Sequence, residues 1–181
     1  MDFHFYTATT LNGFLADEAD SLQWLFDVPG ATEAEDGVEE FLAGVETLVM
    51  GSSTYEWLLR ELNLLDDPEA WPYGGRKTWV FSSRDLPVPA GLNIEVVDGP
   101  VSALLPRFGA GDVWIMGGGD LAGQFLDAGA LTKITLTMAP AFLAAGKPLL
   151  PRNLLSDRLQ LRGATKKGQF VELAFDVTDR G

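Results

Sequence analysis

The stretch Asp112-Val-Trp-Ile-Met-Gly-Gly-Gly-Asp-Leu-Ala-Gly-Gln-Phe-Leu-Asp127 decides the fold of this chain. Residues 113–116 form a short apolar run, which is typical of a strand buried on both faces of a parallel sheet. Three glycines follow, the apolar positions of 121–126 recur at helical spacing, and Gly129 is suited to end a helix. The pattern predicts a strand, a glycine turn and a helix. Such a turn suits an anion at the helix start, but a tight turn without any ligand also explains the glycines.

Composition narrows the class of protein. The chain of 181 residues predicts one domain, 1–181, with a substantial core. Its net charge of −13 argues against binding to nucleic acids or anionic membranes, because no basic cluster is present to neutralise phosphates. The absence of cysteine and the single histidine, His4, argue against disulfides and a multi-histidine metal site. No signal peptide and no apolar run of about 20 residues is apparent, so we expect a cytoplasmic protein without a metal.

Strand and helix patterns alternate along most of the chain. Strands are predicted at 3–9, 47–50, 77–81, 94–97, 113–116 and 131–138. Helices are predicted at 20–26, from Thr32 with Glu35 as its capping-box partner, from Gly51 onward, and at 101–108. At the end of the chain, 159–164 and 169–177 read as two strands of a hairpin separated by 165–168. We therefore predict an α/β fold with a mostly parallel central sheet, flanking helices and a C-terminal antiparallel β-hairpin.

Three turns that follow predicted strands are compatible with phosphate. They are Gly51-Ser-Ser-Thr54, Ser82-Ser-Arg84 and Gly117-Gly-Gly119. Helix caps, an exposed turn and a tight turn explain them separately without a ligand. Because the carboxyl ends of parallel strands meet at one edge, we expect the three turns to lie together, as a dinucleotide with an added 2′-phosphate requires.

Two common nucleotide-binding motifs are excluded. The segment 117–122 satisfies Gly-x-Gly-x-x-Ala formally, but it follows the fifth predicted strand and no acid ends the sixth, so it is not an ordinary dinucleotide-binding fingerprint. A phosphate-binding loop is also absent, since no glycine-rich run reaches Gly-Lys-Ser/Thr.

The ordered set of motifs resembles the dihydrofolate reductase-like superfamily, and within it the RibD C-terminal family of riboflavin-biosynthesis reductases. The resemblance spans about residues 1–177. It rests on Ala8 with Thr10-Leu-Asn-Gly-Phe-Leu-Ala16, Val49-Met-Gly-Ser-Ser-Thr-Tyr-Glu56, Val80-Phe-Ser-Ser-Arg84, Met116-Gly-Gly-Gly119, and Leu136-Thr-Met-Ala-Pro140 followed by Gly146-Lys-Pro-Leu149.

The resemblance implies a three-layer fold, a homodimer and NADPH bound along the sheet edge. It implies that Ala8, Asn12, Gly13 and Leu15 flank the nicotinamide. The turn at Gly51, Ser52, Ser53 and Thr54 and the turn at Met116, Gly117, Gly118, Gly119, Asp120 and Leu121 would then hold the phosphates. Ser82, Ser83 and Arg84 are expected at the 2′-phosphate, and a cis peptide is expected between the first two glycines.

Departures from the family pattern bear on the substrate. Asn12 stands where the family motif has an aspartate, and aligning Trp24 with the tryptophan of dihydrofolate reductases puts Ser21 where their acid lies. Asp20, one residue away, is the candidate proton donor, although it points about 100° aside on a helix. Ser21, Trp24 and Tyr55 are the candidate substrate contacts, whereas Trp57 is expected mainly in the core.

Three functions follow from the resemblance. The first is an NADPH-dependent reductase, similar to the 5-amino-6-(5-phosphoribosylamino)uracil reductase, that acts on a small heterocyclic or pteridine-like substrate. The second is dihydrofolate reductase activity proper, which the missing acid disfavours. The third is a catalytically idle, dimeric module that binds NADPH. Binding of NADPH would separate the first two from a protein that binds no cofactor.

Overall fold

The computed structural model describes residues 1–32 and 37–178. Strands within the described residues are β1 Phe3–Thr10, β2 Phe14–Ala16, β3 Val45–Gly51, β4 Lys77–Phe81, β5 Ile94–Val97, β6 Asp112–Gly117, β7 Lys133–Ala139, β8 Lys147–Pro148, β9 Leu159–Lys167 and β10 Phe170–Val177. The helices are α1 Gln23–Phe26, α2 Val38–Gly44, α3 Ser52–Glu61, α4 Val101–Leu104 and α5 Gly119–Asp127, with short 3-10 turns at Pro68–Ala70 and Leu105–Arg107.

Eight of these strands form one sheet in the order β5-β4-β3-β6-β1-β7-β10-β9. The first six strands of this order, β5, β4, β3, β6, β1 and β7, are parallel to one another. Strand β10 is antiparallel to β7, and β9 is antiparallel to β10. The predicted α/β class is confirmed, and the C-terminal hairpin lies within the sheet as its edge. The strands β2 and β8 pair separately, and the sequence patterns predicted neither of them.

Helices cover both faces of the sheet and give three layers. On one face, residues of α4 and α5 such as Val101 and Phe125 pack against Phe5 and Ile115 of the central strands. On the other face, Leu58 and its neighbours on α3 pack in a second cluster with side chains of β3 and β4. Alternate residues of the strands thus enter different cores, as the pleat of a sheet requires.

The predicted helix that begins at Thr32 differs from the observed one. In the structure, α2 begins at Val38, with Gly37 at the preceding position in a left-handed conformation. The proposed capping-box partner Glu35 lies outside the described residues. The predicted helix 101–108 changes to a 3-10 turn after Leu104, since Pro106 has no N–H group to continue an α-helix.

The hairpin turn is shorter than predicted. Lys167 pairs directly with Phe170, so the loop consists of Gly168 and Gln169, and residues 165–167 belong to β9. Gly168 adopts a φ of 57°, a conformation that glycine accepts without steric cost.

None of the described helices combines the length and the apolar character needed to cross a lipid bilayer. The described residues also contain no group of three or more acidic or histidine side chains arranged to hold a metal ion.

Candidate active site

The three predicted turns lie at the carboxyl edge of the parallel strands. Gly51 at the end of β3 pairs with Phe81 at the end of β4, and Met50 pairs with Gly117 of β6. The serine-arginine turn and the triple-glycine turn are therefore separated by one strand, on the same edge of the sheet. The geometric expectation drawn from parallel strands is confirmed.

A cleft of about 370 Å³ opens at this edge, between the starts of α3 and α5, the segment after β2, and β8. Predicted site residues that line it are Leu15, Asp20, Ser53, Thr54, Met116, Gly117, Gly118, Gly119 and Asp120. The sequence analysis did not single out further lining residues, which are Thr7, Ala16, Leu22, Lys147, Pro148 and Pro151.

The triple-glycine turn brings bare backbone to the floor of the cleft. Gly117 has a φ of 153°, and the peptide bond between Gly117 and Gly118 is cis, as the resemblance implies. A Cβ atom on Gly117 would lie 3.2 Å from the Thr54 hydroxyl, whereas one on Gly118 would meet no atom within 4 Å. Gly118 therefore borders open space, where a ligand can approach the main chain closely.

Two helix starts meet beside this turn. Gly51 and Gly118 precede α3 and α5, and neither helix has a side-chain cap. The first N–H groups of any α-helix lack an acceptor within the helix, so these groups are left uncapped, and they carry the positive end of the helix dipole. Ser53 and Thr54 add hydroxyl donors at the same place, so the arrangement is suited to an anionic group.

Asp20 reaches the cleft from a tight turn rather than from a helix. The carboxylate of Asp17 accepts hydrogen bonds from the N–H groups of Ala19 and Ser21, both at 2.8 Å, and Asp20 between them has a φ of 61°. Its carboxylate lies 3.6 Å from the ammonium group of Lys147. This turn, which the sequence placed at the start of a helix, puts an acid and a base together in the cleft.

Lys147 belongs to β8, which pairs with Ala16 of β2. Sequence reasoning missed it because a two-residue strand leaves no periodic pattern. The only available signal was its place in the motif Gly146-Lys-Pro-Leu149.

The substrate contacts suggested by the resemblance are distributed differently. Tyr55 is fully buried, and its hydroxyl donates to the Pro87 carbonyl at 2.7 Å, so its side chain belongs to the core. Burial raises the pKa of this hydroxyl to about 12. Trp57 packs against the second core cluster, as expected, but it also lines the cleft and stacks on Phe26 with ring centroids 6.4 Å apart.

Trp24 and Ser21 make their contacts outside the cleft lining. Trp24 packs with Ala139 and Phe170, and its indole nitrogen is buried without a hydrogen-bond partner in the described part of the chain. The Ser21 hydroxyl accepts from the N–H of Gln23 at 3.1 Å, so it supports the first turn of α1. Neither side chain lines the cleft.

One of the residues expected beside the nicotinamide, Asn12, uses its side-chain amide to connect two loops. The Asn12 side chain donates to the Leu143 carbonyl at 2.6 Å and accepts from the N–H of Leu143 at 3.2 Å. It also accepts from the hydroxyl of Thr10. A carboxylate at position 12 could accept but not donate, so the asparagine suits this link between two loops. Ala8 and Gly13 lie outside the lining, whereas Leu15 contributes to it.

The Ser82–Arg84 turn is held closed by local bonds. The Ser82 hydroxyl accepts from the N–H of Arg84 at 2.9 Å, and the Arg84 guanidinium makes two bonds, of 2.9 and 2.7 Å, with the carboxylate of Glu56 on α3. The hydrogen bonds from Arg84 lower the pKa of Glu56. Arg84 is exposed and lies beside the cleft rather than in it, as does Ser83.

Three further predicted residues, Gly51, Ser52 and Leu121, do not line the cleft. Gly51 and Ser52 form the start of α3 behind Ser53, and the Leu121 side chain is buried in the core under α5.

Comparison with known proteins identifies relatives over the whole chain. The model of the RibD C-terminal domain family matches residues 74–172, more than half of the chain. The uncharacterized protein YwjB of Bacillus subtilis is 28% identical over 172 residues, which are 94% of each chain.

Solved structures agree on the fold. A candidate riboflavin biosynthesis protein from Shewanella sp. PV-4 is 25% identical, with a TM-score of 0.78 over 99% of this chain and 100% of that one. A dihydrofolate reductase from Enterococcus faecalis, solved with NADP(H), is 15% identical, with a TM-score of 0.65 over 98% of this chain and 97% of that one. The fold is therefore dihydrofolate reductase-like.

Proposed function

The chain belongs to the RibD C-terminal domain family, which is related to the reductase of riboflavin biosynthesis, and on this premise we propose that it is an NADPH-dependent reductase. The observation that carries the proposal is the meeting of two uncapped helix starts and a triple-glycine turn in one cleft. Backbone N–H groups of the two helix starts add positive potential to the cleft, where Lys147 is the one basic side chain among the described lining residues.

The residues present fit a dinucleotide with three phosphates. We propose that the starts of α3 and α5, with the hydroxyls of Ser53 and Thr54, hold the pyrophosphate. Arg84 and the serines before it hold the 2′-phosphate. The bound cofactor supplies a hydride; the protein supplies its orientation and an enclosed surface for the acceptor.

The acceptor is a planar heterocycle in this proposal. The cleft walls are mostly apolar and include the indole of Trp57, while Asp20 and Lys147 provide one hydrogen-bond acceptor and one donor group. Two carboxylates line the cleft, and Asp120 stands at the helix start that we propose for the pyrophosphate, so we assign Asp20 the delivery of a proton from solvent to the reduced ring.

Binding of the nucleotide is tested by quenching of tryptophan fluorescence with NADPH and NADH. We expect the wild type to prefer NADPH, and Arg84→Ala to reduce NADPH affinity by about tenfold or more with little effect on NADH. A matched control is Arg162→Ala, which removes an exposed arginine paired with Asp176 on the far edge hairpin. The control should bind both nucleotides as the wild type does.

The outcomes separate the parts of the proposal. Absence of binding of both nucleotides by the wild type would refute the reductase. If Arg84→Ala lowers the affinities for NADPH and NADH equally, or lowers neither, only the assignment of the 2′-phosphate site is refuted. Turnover is then measured as loss of reduced-nicotinamide absorbance with 5-amino-6-(5-phosphoribosylamino)uracil, and dihydrofolate with methotrexate tests the dihydrofolate reductase alternative.

The homodimer stays a prediction. The surface that we propose for it is the edge hairpin, where Leu161 and Val171 are 57% and 42% exposed. Sedimentation velocity measures the mass of the species in solution directly.

A further inference from the structure

An acidic residue stands at the start of the proposed phosphate-binding helix. Asp120 is in the first turn of α5, lines the cleft and follows directly on Gly119. A carboxylate here stabilises the helix dipole, but it repels any phosphate that approaches the same N–H groups. A dinucleotide site with Asp120 at this position requires some means of offsetting the negative charge.

The carboxylate of Asp120 is turned away from the helix start. One oxygen accepts from the Arg152 guanidinium at 3.0 Å and the other accepts from the Gln124 side chain, one turn later, also at 3.0 Å. The first backbone bond of the helix runs from the N–H of Ala122 to the Gly118 carbonyl. The N–H groups before Ala122 are thus left without an intrahelical acceptor.

Arg152 is fixed along the side of α5 by three contacts. Its Nε donates to Asp127 at 2.7 Å, one Nη donates to Asp120, and the other donates to the Pro151 carbonyl at 2.9 Å. The side chain lies on bare helix backbone, because a Cβ atom on Gly123 would come 2.9 Å from its Cγ and 3.0 Å from its Cζ. Every guanidinium nitrogen already has a partner, two of them carboxylates of α5 and the third the Pro151 carbonyl.

We propose that Arg152 is a positioning residue for the dinucleotide, which holds Asp120 aside and offsets its charge so that the start of α5 accepts the pyrophosphate. This inference rests on the proposed function. Asp120 complements the helix dipole from the side, and Arg152 holds its carboxylate there, so that the N–H groups at the start of α5 would remain available to hold the pyrophosphate.

The test is a double-mutant cycle read by affinity for both nucleotides. Arg152→Gln leaves Asp120 uncompensated, and we expect NADPH and NADH to lose affinity by the same factor, about three- to tenfold, since both carry the pyrophosphate. Asp120→Asn alone should bind as well as the wild type or better. In the background of Asp120→Asn, the substitution Arg152→Gln should have an effect below about twofold.

Two controls distinguish this role from a purely structural one. Arg162→Gln removes an exposed arginine that is paired with Asp176 on the edge hairpin, and it should leave both affinities within about twofold. Arg152→Lys keeps the charge and should lose less affinity than Arg152→Gln. Thermal unfolding measured alongside shows whether a variant is folded under the assay conditions.

The proposal is overturned if Arg152→Gln weakens binding equally with and without Asp120→Asn, because Arg152 would then contact the cofactor directly or support the fold only. It is also overturned if Arg152→Gln has no effect. A loss confined to NADPH would contradict it as well. Failure of the wild type to bind either nucleotide is a different result, since that refutes the reductase itself.

Discussion

Gly119 is the position where one added methyl group should disturb the cleft most. A Cβ atom there would lie 2.8 Å from the carbonyl carbon of Leu149, and nearer still to the carbonyl oxygens of Pro148 and Leu149. Ordinary contacts begin near 3.4 Å, and these atoms are backbone, which cannot rotate out of the way. Gly119→Ala must therefore push the 148–149 segment away from the start of α5.

The expected cost comes from two opposing effects. Overpacking against backbone costs about 1–3 kcal/mol, and the contact with two carbonyl groups favours the upper end. Alanine gains up to about 1 kcal/mol over glycine in a helix, so the net loss in the free energy of unfolding is about 2 kcal/mol. For a chain of this length, a loss of this size lowers Tm by about 4–8 °C.

Thermal unfolding by circular dichroism measures this effect, and Gly44→Ala is the matched control. Gly44 is the last residue of α2, and a Cβ atom there would meet no atom within 4 Å. We expect Tm of the control to stay the same or to rise slightly. An unchanged Tm in Gly119→Ala would refute the close packing of α5 on this segment, and with it the shape of the cleft.

Two further predictions concern the core and the pH dependence of stability. Burial lowers the pKa of His4 to about 4, so as the pH falls the histidine is protonated in the unfolded chain before it is protonated in the folded protein. Stability is therefore lost as the pH falls. Between about pH 7 and about pH 5, the free energy of unfolding should drop by about 2 kcal/mol more in the wild type than in His4→Gln. An equal drop in both proteins, measured by denaturant unfolding, would show that His4 is not buried in its neutral form. Tyr55→Phe removes the hydrogen bond to the carbonyl of the exposed Pro87 and should lower the free energy of unfolding by about 0.5–1.5 kcal/mol, seen as a lower denaturant midpoint at constant slope. The affinity of this variant for NADPH should equal that of the wild type. A large loss of affinity would show that Tyr55 belongs to the binding site.

Periodicity predicted the elements that are long or buried. The strands β4 and β5 have the predicted bounds, and α5 follows the triple glycine as expected. Apolar runs and glycine turns are local signals, so they can be recognised in a single sequence. The common edge of the three turns also followed, since parallel strands fix the direction of every connection.

Long-range contacts could not be predicted in the same way. The short strands β2 and β8 exist only because they pair with each other across more than a hundred residues, and Lys147 reaches the cleft through that pairing. Trp57 and Tyr55 are two residues apart on one helix, yet one lines the cleft and the other is buried. The direction of each side chain depends on where the helix packs, which local sequence does not encode.

The segment around β8 packs against residues on two sides of the cleft. Gly146 lies so close to the Ala16 carbonyl that no side chain fits there, and Gly119 is equally close to the carbonyls of Pro148 and Leu149 in the same segment. Helix α5, which we propose binds the cofactor, and the segment that leads from Ala16 to Asp20 therefore both pack against the backbone of residues 146–149. We therefore expect a displacement of residues 146–149 to change the packing on both sides of the cleft.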